Sequence, residues 1–308
     1  MVIWIDNPKM KKTKNINGWI FLDKPIGISS NLALQKVRKI FNYCKAGYVG
    51  TLDPLASGFL PIALGNATKT IKYLDDSNKE YNFEVNWGLK TSSGDLEGNI
   101  EEITKNYPSR EEILKIIPNF IGYFDQEPHK FSSKKINGVR AYKLARRKLE
   151  FKLEKKKIEI LDLKLLNCLS ETKAYFYAKC SSGCYVRRLA EDIAKNLGTF
   201  ATVTALRRVG FRDFNKKLIS LDYLLTLVHS DDLKHILKPI NLVFDNANEI
   251  ILDESGAQHI LNGRTVKIKT VVKSYEKKFT LAKFKNEVIA IGYLKDDSFY
   301  PKKLLSYL

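Results

Sequence analysis

A glycine- and proline-rich run over residues 45–61 constrains the fold more than any other stretch of the chain. It reads K-A-G-Y-V-G-T-L-D-P-L-A-S-G-F-L-P and contains one carboxylate, Asp53, among small and apolar residues. Glycine allows backbone geometry and close approach that other residues resist. Pro54 fixes its own φ and biases Asp53 away from the α region. The run therefore predicts a loop that holds a single carboxylate stiffly in apolar surroundings.

Asp53 has two interpretations when the loop is considered alone. Asp followed by Pro is typical of a helix N-terminus, with Asp as the N-cap and Pro at the first helical position. Such caps are common, so these two residues favour the cap over catalysis. A functional carboxylate is the alternative, and the rest of the chain bears on the choice.

The charge of the chain indicates a polyanionic partner. There are 52 Lys and Arg against 34 Asp and Glu in 308 residues, which gives a net charge of +18, and the basic residues are spread throughout. A globular chain this basic most often binds a polyanion. Charge alone leaves ribosome-type binding, tRNA, DNA and a membrane surface open.

The remaining bulk features favour a reduced, cytoplasmic, metal-free protein. Residues 1–16 form a short basic arm without the apolar core of a signal peptide. No run reaches the ~18 apolar residues of a membrane span. The four cysteines are expected to be reduced, and Cys180 and Cys184 lack a second pair at metal-ligand spacing. We therefore expect no membrane segment and no metal, and the absence of a Walker loop and of a Rossmann fingerprint is consistent with a protein that needs no cofactor.

Periodicity predicts alternating strands and helices. Tyr81, Phe83, Val85, Trp87 and Leu89 alternate with polar residues, as an amphipathic strand requires. The other predicted elements are a strand at 19–22, a helix capped by Ser29 or Ser30 and running to Phe41, a capping-box helix from Ser109, a strand at 174–180, a helix ending at Leu197–Gly198, a helix at 254–261, and strands at 265–270, 279–284 and 288–293.

Arg187 and Arg188 are unusual for their position. Both lie in the first turn of the predicted helix that ends near Leu197, off its apolar stripe. Cations there face the positive end of the helix dipole, which costs about 0.3–1 kcal/mol each. A helix optimised for stability alone would not place them there, so a functional reason is indicated.

Several separated blocks together resemble one family. The run G-x-x-G-T-L-D-P-L-A-S-G-x-L-P resembles the catalytic loop of TruB-type tRNA pseudouridine-55 synthases. L-D-K-P-x-G-x-S-S around Lys24, D-x-x-K-x-Y ending at Tyr81, the spacing from Gln126 to Arg146, and G-C-Y-V-R-R-L around Arg187 also resemble family blocks, in the family's order. Five blocks in sequence are far more specific than any one motif.

The resemblance implies roles for individual residues. It makes Asp53 the nucleophile, pairs Arg187 with it, stacks Tyr81 on the target base and puts Tyr185 beside that base. It also implies substrate-binding roles for the following residues: Asp95, as a further active-site carboxylate; Leu206, closing the pocket; Tyr48, where relatives usually carry His; and the cations Lys24, Lys69, Lys135 and Arg146. Tyr48 is where base extrusion is expected to differ from that of relatives.

Residues 126–147 mix cations with aromatic side chains. That mixture suits an RNA surface, in which cations bind phosphates and rings stack on bases. A charge run is also commonly just a solvated face, and composition leaves the two about equally open. The match to a family block favours the RNA interpretation.

The resemblance implies an α+β fold with a mixed, largely antiparallel sheet flanked by helices, and a small C-terminal PUA-like β-barrel. The expected domains are the arm at 1–16, a catalytic domain at 17–246 and an RNA-binding module at 247–308. The expected reaction is conversion of uridine to pseudouridine at position 55 in the T-loop of tRNA, by base flipping, in a monomer that needs no protein partner. The alternatives are a non-catalytic tRNA-folding chaperone and a relative acting on ribosomal RNA.

Overall fold

The computed structural model describes residues 16–74, 78–132, 134–147, 149–212, 214, 217–228, 231–244, 247–268 and 279–305. The predicted basic arm lies outside these residues, except for its last position. The predicted strand at 265–270 is described only in part, as Val266–Lys267.

A nine-stranded mixed sheet organises the first 220 residues. The strands in this part of the chain are β1 Gly18–Lys24, β2 Ala46–Tyr48, β3 Ala56–Leu64, β4 Lys79–Trp87, β5 Leu89–Thr91, β6 Ile100–Ile103, β7 Gly122–Gln126, β8 Lys135–Ile136, β9 Val139–Arg140, β10 Lys156–Ser170, β11 Lys173–Cys180, β12 Ala201–Phe211 and β13 Ile219–Ser220. The order in the main sheet is β13-β1-β3-β12-β4-β11-β10-β7, and β2 also pairs with β3. The β1–β13 and β12–β3 pairs are parallel and the others antiparallel. Strands β5–β6 and β8–β9 form two separate hairpins.

A second sheet of five strands follows near the C-terminus, in the order β14-β16-β17-β18-β15. Its strands are β14 Asn248–Ile251, β15 Val266–Lys267, β16 Thr280–Phe284, β17 Glu287–Lys295 and β18 Ser298–Leu304. The α+β prediction, with a mixed and largely antiparallel main sheet and a smaller β-rich unit after it, is confirmed.

Six α-helices flank the sheets in the described part of the chain. They are α1 Ser30–Ile40, α2 Arg110–Ile116, α3 Ala141–Arg146, α4 Val186–Asn196, α5 Leu221–Thr226 and α6 Glu254–Leu261, with short 3-10 helices at Gly65–Tyr73, Ile117–Phe120, Asp231–Lys234 and Ile240–Val243. Ser29 caps α1 and Ser109 closes the predicted capping box of α2. Gly198 follows α4 at φ +68°, the left-handed geometry typical of a helix C-terminus.

Strand β4 lies at the centre of the main sheet, between β11 and β12. Its burial alternates without a break, as its sequence predicts, with Phe83 and Val85 completely buried. Phe83 stacks on Phe176 of β11 with ring centroids 5.3 Å apart. Tyr81 lies on the same face of β4, so the strand that forms the core also delivers Tyr81 to a fixed position.

The helix expected after Asp53 does not form. Residues after Asp53 make one tight turn, in which Ala56 N–H donates to Asp53 O at 3.0 Å, and the chain then enters β3. Ala56–Leu64 is buried at every position except Ser57, and it pairs with strands on both sides. Tertiary pairing of this apolar run therefore overrides the local helix-start signal, and the N-cap interpretation is wrong.

Candidate active site

Helix α1 and the turn before it anchor the loop that carries Asp53. Ser30, at the start of α1, donates its hydroxyl to Leu52 O at 2.9 Å and accepts from Leu52 N–H at 2.8 Å. Gly27 N–H donates to Pro54 O at 2.8 Å. The residues before and after Asp53 are therefore both anchored, and the carboxylate projects from a backbone that has little freedom.

Arg187 lies between two carboxylates. Its Nη2 is 2.8 Å from Asp53 Oδ2, and its Nη1 is 3.2 Å from Asp95 Oδ2. The side chain of Asp95 is 2% exposed, whereas that of Asp53 is 36% exposed. One buried cation thus links a sequestered carboxylate to a carboxylate that is open toward a cavity.

Backbone carbonyls complete the shell of Arg187. Its Nη1 donates to Ser93 O at 2.7 Å and its Nη2 donates to Phe131 O at 3.0 Å. Arg187 is 5% exposed although it lies in the first turn of α4. The unfavourable position at the positive end of the helix is offset by two carboxylates and two carbonyls, all of them acceptors.

Asp95 is held by its own network. Its Oδ1 accepts from the Ser93 hydroxyl and, at 3.0 Å, from Glu97 N–H. Asp95 also forms an isolated bridge to Val203 of β12. Asp95 therefore contacts the same guanidinium as Asp53 and does not itself line the cavity.

The open carboxylate faces a cavity of about 220 Å³. Asp53, Tyr81, Tyr185, Arg187 and Leu206 all line it, so the structure brings five of the predicted residues together. Leu206 on β12 is paired through the backbone with Phe83 on β4 and with Ala56 on β3. The adjacent strands β4 and β12 therefore contribute to the wall of the cavity, through Tyr81 and Leu206.

Both tyrosines are protonated over the ordinary pH range. Burial raises the pKa of Tyr81 to about 12, and the neighbouring Arg208 guanidinium only partly opposes that rise. Burial also raises the pKa of Tyr185, and the negative charge of Asp53 adds to the effect. Each hydroxyl is therefore a proton donor at neutral pH, unless another group removes its proton.

Gln126 fixes the backbone of Tyr185. Its Oε1 accepts from Tyr185 N–H at 2.8 Å, and its Nε2 donates to Tyr185 O at 3.2 Å. Residue 126 ends β7 and Tyr185 precedes α4, so one amide side chain joins two elements. The sequence placed Gln126 in a family-like block but gave it no role.

Arg208 is a residue of the site that was not predicted from the sequence. It is completely buried on β12, where Nε donates to Phe59 O at 2.6 Å and Nη2 donates to Gly50 O at 2.9 Å. A signal was available, because residues two apart in a strand share a face, and Leu206 was already assigned to the pocket. Arg207, on the opposite face, instead forms a two-bond pair with Asp23.

Lys24 does not lie where an RNA-binding cation was expected. It is completely buried, and its Nζ donates to Pro25 O at 2.8 Å and to Ile28 O at 2.7 Å. Burial lowers the pKa of Lys24 to about 8, and the charge of Asp53 partly opposes that shift. The structure gives Lys24 the position of a cation that stabilises the turn beneath the Asp53 loop.

Lys69 is also directed away from the cavity. Its Nζ donates to Leu304 O at 2.7 Å, and so joins the 3-10 helix after β3 to the last strand of the second sheet. This contact explains the residue without RNA, so its predicted substrate role has no support in the structure.

Three other predicted residues lie outside the cavity wall. Tyr48 is half-buried on β2 and packs against the main core. Lys135 is exposed on the β8–β9 hairpin. Arg146 is exposed at the end of α3, with its guanidinium 5.7 Å from the ring centre of Tyr142. Their predicted roles in RNA binding stay predictions.

The described residues contain no group of three or more His, Cys, Asp or Glu that could hold a metal ion. The four cysteines are free thiols. In the same part of the chain, every helix is too short or too polar to cross a membrane.

Two family models match adjacent stretches of the chain. Residues 38–186 match the N-terminal domain of TruB family pseudouridylate synthases, and residues 187–245 match the C-terminal domain of tRNA pseudouridylate synthase B. The boundary between the two matches falls at Arg187, so residues of both stretches form the cavity.

Known proteins support the same assignment. The chain is 33% identical over 310 residues to tRNA pseudouridine synthase B of Rhizobium etli, which covers 98% of this chain and 100% of that protein. It is 43% identical over 255 residues to the protein of the same name from Ehrlichia ruminantium, covering 82% and 86% of the two chains. A solved structure of the archaeal box H/ACA sRNP Nop10-Cbf5 complex shares the fold, with a TM-score of 0.69 and 21% identity over 94% of this chain and 86% of that chain. This chain belongs to the TruB family of pseudouridylate synthases.

Proposed function

We propose that this protein isomerises uridine to pseudouridine at position 55 in the T-loop of tRNA, with Asp53 as nucleophile. The observation that carries the proposal is the Asp53–Arg187 pair at 2.8 Å, which opens onto a cavity bordered by Tyr81, Tyr185 and Leu206. Relatives of similar length that bear the name tRNA pseudouridine synthase B supply the substrate class.

The reaction needs a carboxylate that is reactive in apolar surroundings. Isomerisation breaks the N1–C1′ bond, turns the base over and joins C5 to C1′. Desolvation favours the protonated form of a carboxylic acid, so a nucleophilic carboxylate requires a partner cation. Arg187 fills this role, because a guanidinium keeps its charge and binds carboxylates along two N–H directions. Asp53 then attacks either the sugar or the base.

Aromatic side chains position the base. A target uridine in a folded loop must leave its stack to reach Asp53. Tyr81, fixed on the central strand, stacks on the flipped base, and Tyr185 and Leu206 border it. C5 loses a proton and N1 gains one, so the reaction releases no net proton. One of the two tyrosine hydroxyls relays the C5 proton, because it gives up its own proton as it accepts that one.

The RNA body is held by the basic surface. The net charge of +18 supplies long-range attraction, and the cations of residues 126–147, including Lys135 and Arg146, contact phosphates. The second sheet, within residues 247–308, serves as an additional RNA-binding module after the catalytic domain at 17–246. The protein acts in the cytoplasm as a monomer without a protein partner.

The decisive experiment compares unmodified tRNA transcripts with and without the T-loop uridine. The protein should release tritium from 5-tritiated uridine in the first transcript and leave the second unmodified at that loop. Asp53→Asn should bind the tRNA and release no tritium. Turnover near the wild-type rate in Asp53→Asn would refute the nucleophile assignment.

A tRNA-folding chaperone is the second candidate, because a basic surface can bind and remodel tRNA without chemistry. The same variant separates the two functions. If Asp53→Asn keeps any effect on tRNA folding while it loses tritium release, both activities reside in one chain. If the wild-type protein releases no tritium from any tRNA, chaperone activity alone remains.

A further inference from the structure

Two buried polar atoms in the wall of the cavity have no hydrogen-bond partner. Among the residues that the structure describes, the buried side-chain nitrogens and oxygens without a partner are Trp19 Nε1, Ser132 Oγ and Arg208 Nη1. Ser132 and Arg208 both line the cavity, whereas Trp19 packs in the separate core cluster around Phe21 and Phe59. Ser132 is 4% exposed and Arg208 is 0% exposed.

Unpaired buried polar groups are costly, so each requires an explanation. Burial removes the hydrogen bonds that water would make with such a donor or acceptor, and the loss is larger for a charged group. The chain nevertheless keeps a hydroxyl and a guanidinium N–H at this cavity. A site built to hydrogen-bond its substrate has this property before the substrate arrives.

Two different segments of the chain bring these groups to the cavity. Arg208 lies on β12, and its Nη1 packs closely against Gly50. A Cβ added at Gly50 would lie 2.9 Å from that atom, so the glycine leaves the space that Nη1 occupies. Ser132 lies in the segment that also places Phe131 O on Arg187. The Arg208 guanidinium interacts with the Tyr81 hydroxyl, and the Ser132 hydroxyl interacts with that of Tyr185. Neither Arg208 Nη1 nor Ser132 Oγ reaches hydrogen-bond geometry with a partner in the described residues.

We infer that Ser132 and Arg208 form hydrogen bonds with the edge of the flipped uracil that carries O2, N3–H and O4. Arg208 Nη1 donates to a carbonyl oxygen, and the Ser132 hydroxyl forms a hydrogen bond with the neighbouring group of that edge. A guanidinium N–H can only donate, so its partner must be an acceptor. This assignment rests on the proposed function and adds specificity-determining residues to it.

Uracil suits such a fixed pair of groups for a chemical reason. Its edge presents O2, N3–H and O4, in the order acceptor, donor, acceptor. Converting an N1 glycoside to a C5 glycoside turns the ring about the axis through N3 and C6, which exchanges O2 with O4 and leaves this order unchanged. The same two side chains therefore bind the base before and after it turns. The edge of cytosine lacks this symmetry and meets the Arg208 donor with an amino group in one of the two orientations.

The test measures binding to two T-arm hairpins that do not react. One carries pseudouridine at the target position, and the other carries a 2,4-difluorophenyl C-nucleoside of similar shape that lacks strong hydrogen-bonding groups. Two lost hydrogen bonds predict about 100-fold preference of the wild-type protein for pseudouridine. Ser132→Ala should lower this preference about tenfold and leave the remainder, which Arg208 supplies. Its thermal unfolding midpoint should fall little, because in the free protein the hydroxyl approaches the Tyr185 hydroxyl without completing a hydrogen bond.

Ser255→Ala is the matched control, because Ser255 is an exposed serine on α6 and is not one of the residues that line the cavity. It should leave the preference unchanged. If Ser132→Ala keeps the full preference, the proposed role of Ser132 is overturned. This holds even if the variant converts uridine more slowly, because a disturbed Tyr185 would slow turnover without changing the binding preference. Complete loss of preference in Ser132→Ala would overturn the role of Arg208. Failure of the proposed function is separate, because it would appear as absent tritium release by the wild-type protein.

Discussion

Asp53 and Arg187 form an ion pair with Oδ2 and Nη2 2.8 Å apart, although separate elements carry them. Asp53 lies on a loop before β3 and Arg187 lies in the first turn of α4. Asp95 approaches the same guanidinium from its buried side, at 3.2 Å. The geometry explains both oddities of the sequence, a carboxylate among apolar residues and a cation at the positive end of a helix.

Arg187→Lys should lower turnover at least about 100-fold, because an ammonium cannot face both carboxylates and both carbonyls that the guanidinium satisfies. Single-turnover rates on a T-arm transcript check this expectation. Asp95→Asn is the comparison variant and should lose about tenfold, since Asp95 orients Arg187 and does not open to the cavity. Equal losses in the two variants, or a near-normal rate in Arg187→Lys, would contradict the assignment.

Gly58→Ala should lower the free energy of unfolding by roughly 3 kcal/mol or more. Gly58 has φ +99°, and an added Cβ would lie 2.2 Å from Arg208 O on the paired strand β12. Urea unfolding measures the change. Gly263→Ala is the control for φ alone, because Gly263 has φ +73° but no atom within 4 Å of its added Cβ. A similar loss in both variants would show that the close approach of β3 to β12 is unimportant.

Lys24 should make stability depend on pH in alkaline solution. Its pKa is lowered by burial from 10.5 to about 8, so between these values the unfolded chain binds the proton more tightly. The free energy of unfolding from this group therefore rises with pH over that window, by roughly 3 kcal/mol in total. Denaturant unfolding of the wild-type protein and of Lys24→Met between pH 8 and 10.5 checks it. A difference between the two proteins that does not change with pH would contradict the shift.

Binding to tRNA should weaken steeply with salt. Each phosphate that a cation neutralises lowers log affinity by about 0.7–0.9 per log unit of salt. Lys135→Ala and Arg146→Ala should each reduce the slope by about one, because both side chains are exposed in the segment proposed to hold the RNA. Lys164→Ala, an exposed lysine on β10 paired with Asp162, should not change it. A flat salt response of the wild-type protein would contradict the proposed role of its net charge.

The sequence predicted those features that depend on local chemistry. The alternation at 81–87, the Ser29 and Ser109 caps and the turn at Gly198 all formed, because each depends on neighbours within a few residues. The predicted strand ends two residues early, since Gly88 follows Trp87 and Leu89 lies in the separate strand β5. Asp53 failed as a helix cap, since the apolar run after it is paired as a strand on both sides. Lys24 was predicted to bind the RNA backbone, but it is buried, because two backbone carbonyls of the turn that follows it accept hydrogen bonds from its ammonium group.

By itself the sequence determined the α+β class, the basic character and a set of residues suited to one chemistry. Only the tertiary structure decided which of them meet. It joined Asp53, Asp95 and Arg187 into one network, turned Lys69 to the second sheet, and placed Arg208 beneath the cavity as a buried cation. The physical reason is that charge pairing and burial depend on distances between segments far apart in the chain, and local propensity does not contain those distances.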